Sequence, residues 1–246
     1  MATDRRSFMR AILCVAAWGR PSVSAGDRAV NDVLTLATFG DSILDCGHYN
    51  NRGIHPGQLI VQNDDALFPS FAGRDLATCR RAALAHRARD GARVDDLARQ
   101  VAGLNLVAPA VALLTIGGND LLGGLVVDDG AGIAKFERTL TAFVRSLPRI
   151  PVLLANVYDP TFNDDSRNFL NMEPGIARRN LMRMNDVIAD LAKRHGELVD
   201  LHAHFLRGDE SWFTNTIEPS LRGASEVRAA FLPAVLRAAN CDGTTR

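Results

Sequence analysis

The chain has 246 residues, 47% of them hydrophobic and 23% charged, with 28 Lys and Arg balancing 28 Asp and Glu. A chain of this size buries a sizeable core without dividing, and its zero formal charge supplies no basic face for nucleic acid. Four cysteines, Cys14, Cys46, Cys79 and Cys241, lack Cys-x-x-Cys spacing, which excludes a zinc ribbon and a dense disulfide framework and reads each as a buried thiol.

At the N-terminus, Arg5-Arg6 before Ser7-Phe8-Met9 is close to a twin-arginine export motif. An apolar run over residues 11–18 and a small-residue site ending at Ala25 follow it, so residues 1–25 read as an export signal and the protein as periplasmic or secreted. The run is too short to span a bilayer. Without a functional signal the chain stays cytoplasmic. Cleavage after Ala25 leaves Cys46, Cys79 and Cys241, an odd number, so at least one thiol lacks an internal partner.

Residues 33–39 form an apolar run that reads as a buried strand, and it breaks at Gly40-Asp41-Ser42. Gly40 permits a tight exit there. Residues 82–88 are a poorer strand candidate. Residues 111–116 form a second apolar strand, which ends in Gly117-Gly118-Asn119-Asp120. Phe136, Leu140, Phe143, Val144 and Leu147 recur at three- and four-residue steps and predict a helix over 133–147. Residues 152–156 predict a fourth strand, entered between Pro148 and Pro151. Leu181, Met184, Ile188 and Leu191 predict a helix over 176–195 with Gly196 as its C-cap. Residues 198–201 predict a last strand. Strands alternating with helices argue for a parallel sheet covered on both faces. Residues 33–238 therefore read as one domain, with 239–246 as a tail.

Gly40-Asp41-Ser42-Ile43-Leu44 and Gly117-Gly118-Asn119-Asp120 together resemble the blocks of the GDSL, or SGNH, family of serine hydrolases, and between them the segment around Asp90-Gly91-Ala92 is similar to the family's second block. The resemblance implies a three-layer α/β/α sandwich with a flavodoxin-like five-stranded parallel sheet in the order 2-1-3-4-5. It implies a serine esterase with Ser42 as nucleophile, the Gly91 N–H and the Asn119 amide as oxyanion donors, and a small-molecule ester as substrate. No cofactor is implied, and neither Gly-x-Gly-x-x-Gly nor Gly-x-x-x-x-Gly-Lys occurs. Asp120 is expected to brace the Asn119 turn.

The last block departs from the pattern. The family has Asp-x-x-His-Pro, whereas this chain has Asn215-Thr216-Ile217-Glu218-Pro219. A serine hydroxyl needs a neighbour to take its proton. Glu218 can do so if burial raises its pKa from about 4.3 toward the working pH. His86, at the end of the adjacent strand, and His48 and His55, in the loop after Ser42, are the competing bases.

Other readings stay open. A relative without a base would bind carbohydrate or lipid without turning it over. Strand alternation would put Asp200, His202 and His204 on one face as a metal site, and Cys46 would be an alternative nucleophile. Asp64-Asp65 and Asp164-Asp165 read as loop carboxylates and helix caps, and residues 158–162 as a turn or part of the substrate mouth. The ester itself and the oligomeric state have no signature in the sequence.

Overall fold

The structure is a computed structural model that describes residues 33–241, so the export reading of residues 1–25 lies outside the described residues. In chain order, β1 (Leu34–Gly40) leads through α1 (Pro56–Val61) to β2 (Ala82–His86), and α2 (Leu97–Val101) leads to β3 (Ala110–Thr115). Next come α3 (Gly118–Leu122), α4 (Ala131–Ser146), β4 (Val152–Ala155), α5 (Pro174–His195) and β5 (Glu197–Val199). A short α6 (Leu201–Phe205) and a two-stranded ribbon of β6 (Phe213–Thr214) and β7 (Glu218–Pro219) precede α7 (Leu221–Ala238). The five main strands are all parallel, in the order β2-β1-β3-β4-β5.

Alternating side chains of each strand feed two cores. Ala37 and Phe39 of β1 and Leu114 of β3 pack with Phe136 and Leu140 of α4 and with Met184 and Ile188 of α5. On the other face, Leu34 and Leu36 pack with Ile60 of α1 and with Val227, Phe231 and Val235 of α7. Burying a side chain such as Phe136 or Phe231 stabilises the fold by ~1.5–3 kcal/mol. Because both faces are covered, β1, β3 and β4 read as continuous apolar runs. β2 lies at the sheet edge and is partly exposed, which explains its weaker sequence signal.

The two long helices expected from periodicity, α4 and α5, fall where that pattern places them. α5 begins with Pro174 in its first turn, and the Glu173 carboxylate accepts the Gly175 and Ile176 N–H groups. It ends where the Gly196 N–H bonds to the Ala192 carbonyl. Asp64 and Asp164 accept nearby backbone N–H groups, as capping carboxylates do.

Three expectations need correction. First, the last strand stops at Val199, because Asp200 caps α6 by accepting the Ala203 N–H at 2.9 Å. His202 and His204 therefore lie on a helix and share no strand face. His202 Nδ1 faces the Val157 carbonyl at 3.3 Å and His204 Nε2 meets Glu226 at 3.0 Å. Secondly, Cys79 and Cys241 are joined in a disulfide, and among the described residues only Cys46 is a buried free thiol. Thirdly, Ala239 is buried and Cys241 is cross-linked, so the packed chain extends past α7 into the segment expected as tail. Among the described residues, no helix is long and apolar enough to cross a membrane.

Candidate active site

The site is built where β1 and β3 end side by side, with Gly40 in register with Thr115. Gly40 has φ +118°, and a Cβ there would lie 1.6 Å from the Thr115 carbonyl oxygen. No other residue fits at that point. The Gln100 amide clamps the same position, accepting the Gly40 N–H and donating to the Gly40 carbonyl, each at 2.7 Å. Gln100 thus satisfies both backbone groups where the strand turns away from the sheet.

Asp41 then points inward, where its Oδ1 accepts the Thr115 hydroxyl at 2.8 Å and the Ile43 N–H at 3.2 Å. Burial raises its pKa to about 7 despite these bonds. Ser42 follows, 7% exposed, on the wall of a pocket that also holds Asn119 and Glu218.

Asn119 lies in α3 directly after Gly117, whose φ of +122° makes the turn out of β3. A Cβ on Gly117 would meet Met184 Sδ at 2.6 Å. One Asn119 Nδ2 hydrogen donates to the Ala92 carbonyl at 3.1 Å, which ties α3 to the loop carrying Gly91 and leaves the amide a second N–H. Asp120 supports the same loop by accepting the Val94 N–H at 3.1 Å, and burial raises its pKa to about 6.

Gly91 is exposed with φ +73°. It lines a separate polar concavity with Arg87, Asp96 and Gln100, not the pocket of Ser42. Its neighbours' N–H groups are engaged, that of Asp90 by Asp45 and that of Ala92 by the Arg89 carbonyl.

Glu218 opens β7, paired with Thr214 across the ribbon. Its pKa is raised by burial and by the nearby Asp90 charge, while the Ser42 hydroxyl and His48 act in the opposite direction. Its Oε2 is buried without a hydrogen-bond partner among the described residues. The histidines are committed elsewhere. His86 spends Nε2 on Asp45 at 3.0 Å and Nδ1 on the Thr38 hydroxyl at 2.8 Å, and its ring stacks on His55. Burial lowers the His55 pKa to about 4. His48 is exposed and meets Asp90 at 3.2 Å. None of the three lines the pocket of Ser42. Cys46 is fully buried, and burial pushes its thiol well above the ordinary range, which leaves it un-ionised and unsuited to attack.

Tyr158, Asp159, Pro160 and Thr161 also line the pocket, so the segment after β4 is part of its wall. Gln100, Thr115 and Tyr158 support the site from 58, 73 and 116 positions after Ser42, and no local pattern marks them for that purpose.

Solved structures with the same fold include a lipase/acylhydrolase from Enterococcus faecalis, 15% identical with a TM-score of 0.59 over 82% of this chain and 94% of that one. An acetylxylan esterase from Geobacillus stearothermophilus is 20% identical with a TM-score of 0.58 over 84% and 93%. An α/β hydrolase enzyme from the metagenome of Lake Arreo, Spain, is 25% identical with a TM-score of 0.57 over 85% and 95%. No curated protein sequence matches the chain significantly. With its two glycine-ended strands, its 2-1-3-4-5 sheet and a match to the family model over residues 38–224, the chain belongs to the GDSL-like lipase/acylhydrolase family of ester hydrolases.

Proposed function

We propose that the protein hydrolyses carboxylic esters, of acylated sugars or lipids, with Ser42 as nucleophile and Glu218 as general base. The observation that carries this is Glu218 itself. It stands where the family's pattern has histidine, lines the pocket of Ser42, and holds a buried Oε2 with no hydrogen-bond partner among the described residues. Glu218 takes the Ser42 proton as Oγ attacks the ester carbonyl. The second N–H of Asn119 stabilises the oxyanion; Gly91, which the resemblance implies as a second donor, lies outside the pocket of Ser42 and is given no part in this step. Collapse breaks the bond to the alcohol oxygen, which leaves with the proton from Glu218. Water then gives a proton to Glu218 and attacks the acyl-serine; collapse breaks the acyl–Oγ bond, releases the carboxylic acid and returns the Glu218 proton to Ser42 Oγ. Glu218 must be ionised to begin, so turnover rises with pH through its elevated pKa.

Intact-mass measurement after fluorophosphonate treatment tests the nucleophile: the wild type should gain one adduct and Ser42→Ala none. Glu218→Gln should lower kcat by ~10²–10⁴-fold. Full activity in Glu218→Gln with loss in His86→Ala, His48→Ala or His55→Ala would move the base to that histidine. An unlabelled, inactive wild type would make the protein a binding relative.

Residues 1–25 are proposed to direct export, a reading supported by the Cys79–Cys241 disulfide, since such bonds persist in oxidising compartments. A fusion of residues 1–30 to a reporter should be exported, and Arg5→Lys with Arg6→Lys should stop it.

A further inference from the structure

Ester hydrolysis at Ser42 leaves open which half of the ester the protein grips, and the surroundings of the site differ sharply on its two sides. The pocket beyond Ser42 runs between α3, the segment after β4 and α5. Apart from the reacting groups its wall is mainly apolar, built from Leu121, Val126, Val157, Phe169, Leu170 and Leu181. Leu121 lies two residues beyond Asn119 on the same short helix, so the apolar wall begins where the carbonyl is held. Leu122 and Phe169 at this pocket are 43% and 38% exposed, an apolar lip that costs free energy in water unless something covers it.

Near Glu218 but outside the lining of that pocket, the groups are polar. His48 and Asp90 both act on the Glu218 charge and are bonded to each other, and the Tyr49 hydroxyl donates to Asp90 at 2.8 Å.

We infer that the substrate is an ester of a medium-length apolar acid with a polar, hydroxylated alcohol. The acyl chain lies in the pocket between α3, the segment after β4 and α5, and the alcohol lies toward His48, Tyr49 and Asp90. The inference rests on the proposed serine-ester chemistry and assigns its two products. The acyl carbonyl must sit beside Asn119, from which the apolar wall runs on. The alcohol oxygen must sit beside Glu218 to receive its proton, which turns the leaving group toward the polar cluster. A pocket serving an acetyl group alone would leave most of this apolar wall uncovered. The Asp165–Arg178 ion pair borders the pocket as well. Asp165 matches the Arg178 charge, so the pair does not call for a charged acyl group, although Arg178 Nε is buried without a hydrogen-bond partner among the described residues.

The test holds the alcohol constant and varies the acid. With p-nitrophenyl acetate, butanoate and octanoate and the full-length protein, kcat/KM should rise at least ~30-fold from acetate to octanoate. Each methylene withdrawn from water supplies up to ~4-fold, and part of the chain remains exposed. Equal or falling kcat/KM would overturn the inference while leaving the serine chemistry standing. Leu181→Trp should cut the octanoate-to-acetate ratio at least ~10-fold, and Val126→Phe is the second variant if the first folds poorly. An unchanged ratio in a folded variant would refute the placement.

A binding measurement is independent of catalysis. Octanamide, an uncharged mimic of the acyl half, should bind Ser42→Ala at least ~30-fold more tightly than acetamide in calorimetry. Equal binding would sink the pocket assignment whatever the activity. Tight octanamide binding by a protein that hydrolyses no ester and takes no fluorophosphonate would keep the pocket and remove the catalytic reading.

Discussion

Tyr158→Phe removes one oxygen atom from a group that supports the proposed base without touching the reacting atoms. The Tyr158 ring is buried, stacked on Phe205 at 4.6 Å and edge-on to Phe213 at 5.2 Å. Its hydroxyl donates to the Ile217 carbonyl at 2.6 Å, which belongs to the peptide bond leading into Glu218. The turn just before is strained, with Asn215 at φ +47° and Thr216 at φ +74°, a region that a β-branched residue adopts only at a cost. The Tyr158 bond and the Thr214–Glu218 pairing together hold the carboxylate against that strain. Phenylalanine keeps the ring contacts but leaves the Ile217 carbonyl without this donor, which should lower stability by ~1–3 kcal/mol. Loosening the base by a fraction of an ångström to about 1 Å should reduce kcat by ~10–10²-fold, with KM little changed and the acid limb of the pH–rate profile displaced. Urea unfolding and steady-state kinetics across pH read both effects. A variant that loses stability yet keeps its kcat and pH profile would show that the bond holds only the fold and that Glu218 does not depend on it.

Other changes probe different parts of the site and its frame. If Asn119 is the proposed oxyanion donor, Asn119→Ala should lower kcat by ~10²–10³-fold with KM nearly constant, since such a donor acts on charge that develops during attack; a loss entirely in KM would refute the assignment. Asp41, whose pKa burial raises from 3.8 to about 7, favours the folded state while protonated. Its stabilisation is complete below about pH 4 and is lost as pH rises through about 7, at most ~4 kcal/mol in all. Asp41→Asn keeps an acceptor for Thr115 and should flatten this fall in urea midpoints between pH 4 and 8; an unaltered pH dependence would assign it to other groups. Cys79→Ser opens a cross-link between positions 162 residues apart and should cost ~2–5 kcal/mol, whereas equal denaturation midpoints with and without reductant would show the bond to be without effect.

Local pattern carried much of this protein. Strands buried on both faces announce themselves as unbroken apolar runs, as in β1 and β3. The long amphipathic helices show a three- to four-residue apolar step, and Gly196 marks the end of α5. The two glycines that close β1 and β3 were legible because backbone crowding at a strand end excludes side chains, and the motifs around Ser42 and Asn119 travel with them. What failed locally was ambiguous on physical grounds. Asp200, His202 and His204 alternate as a strand face would, yet Asp200 is equally an N-cap, and capping prevailed. Nothing within a few residues of Gln100, Thr115 or Tyr158 indicates that they clamp Gly40, bond Asp41 and brace the peptide before Glu218. Nor could spacing alone join Cys79 to Cys241. These contacts depend on which side chains the folded chain brings together across 59 to 162 positions, and no local periodicity records that. The sequence determined the layers of the sheet and the ends of its strands. Tertiary packing decided the partners of each polar group, and so tied up His86 and His55 in bonds and stacking away from the pocket and left the carboxylate of Glu218 beside Ser42.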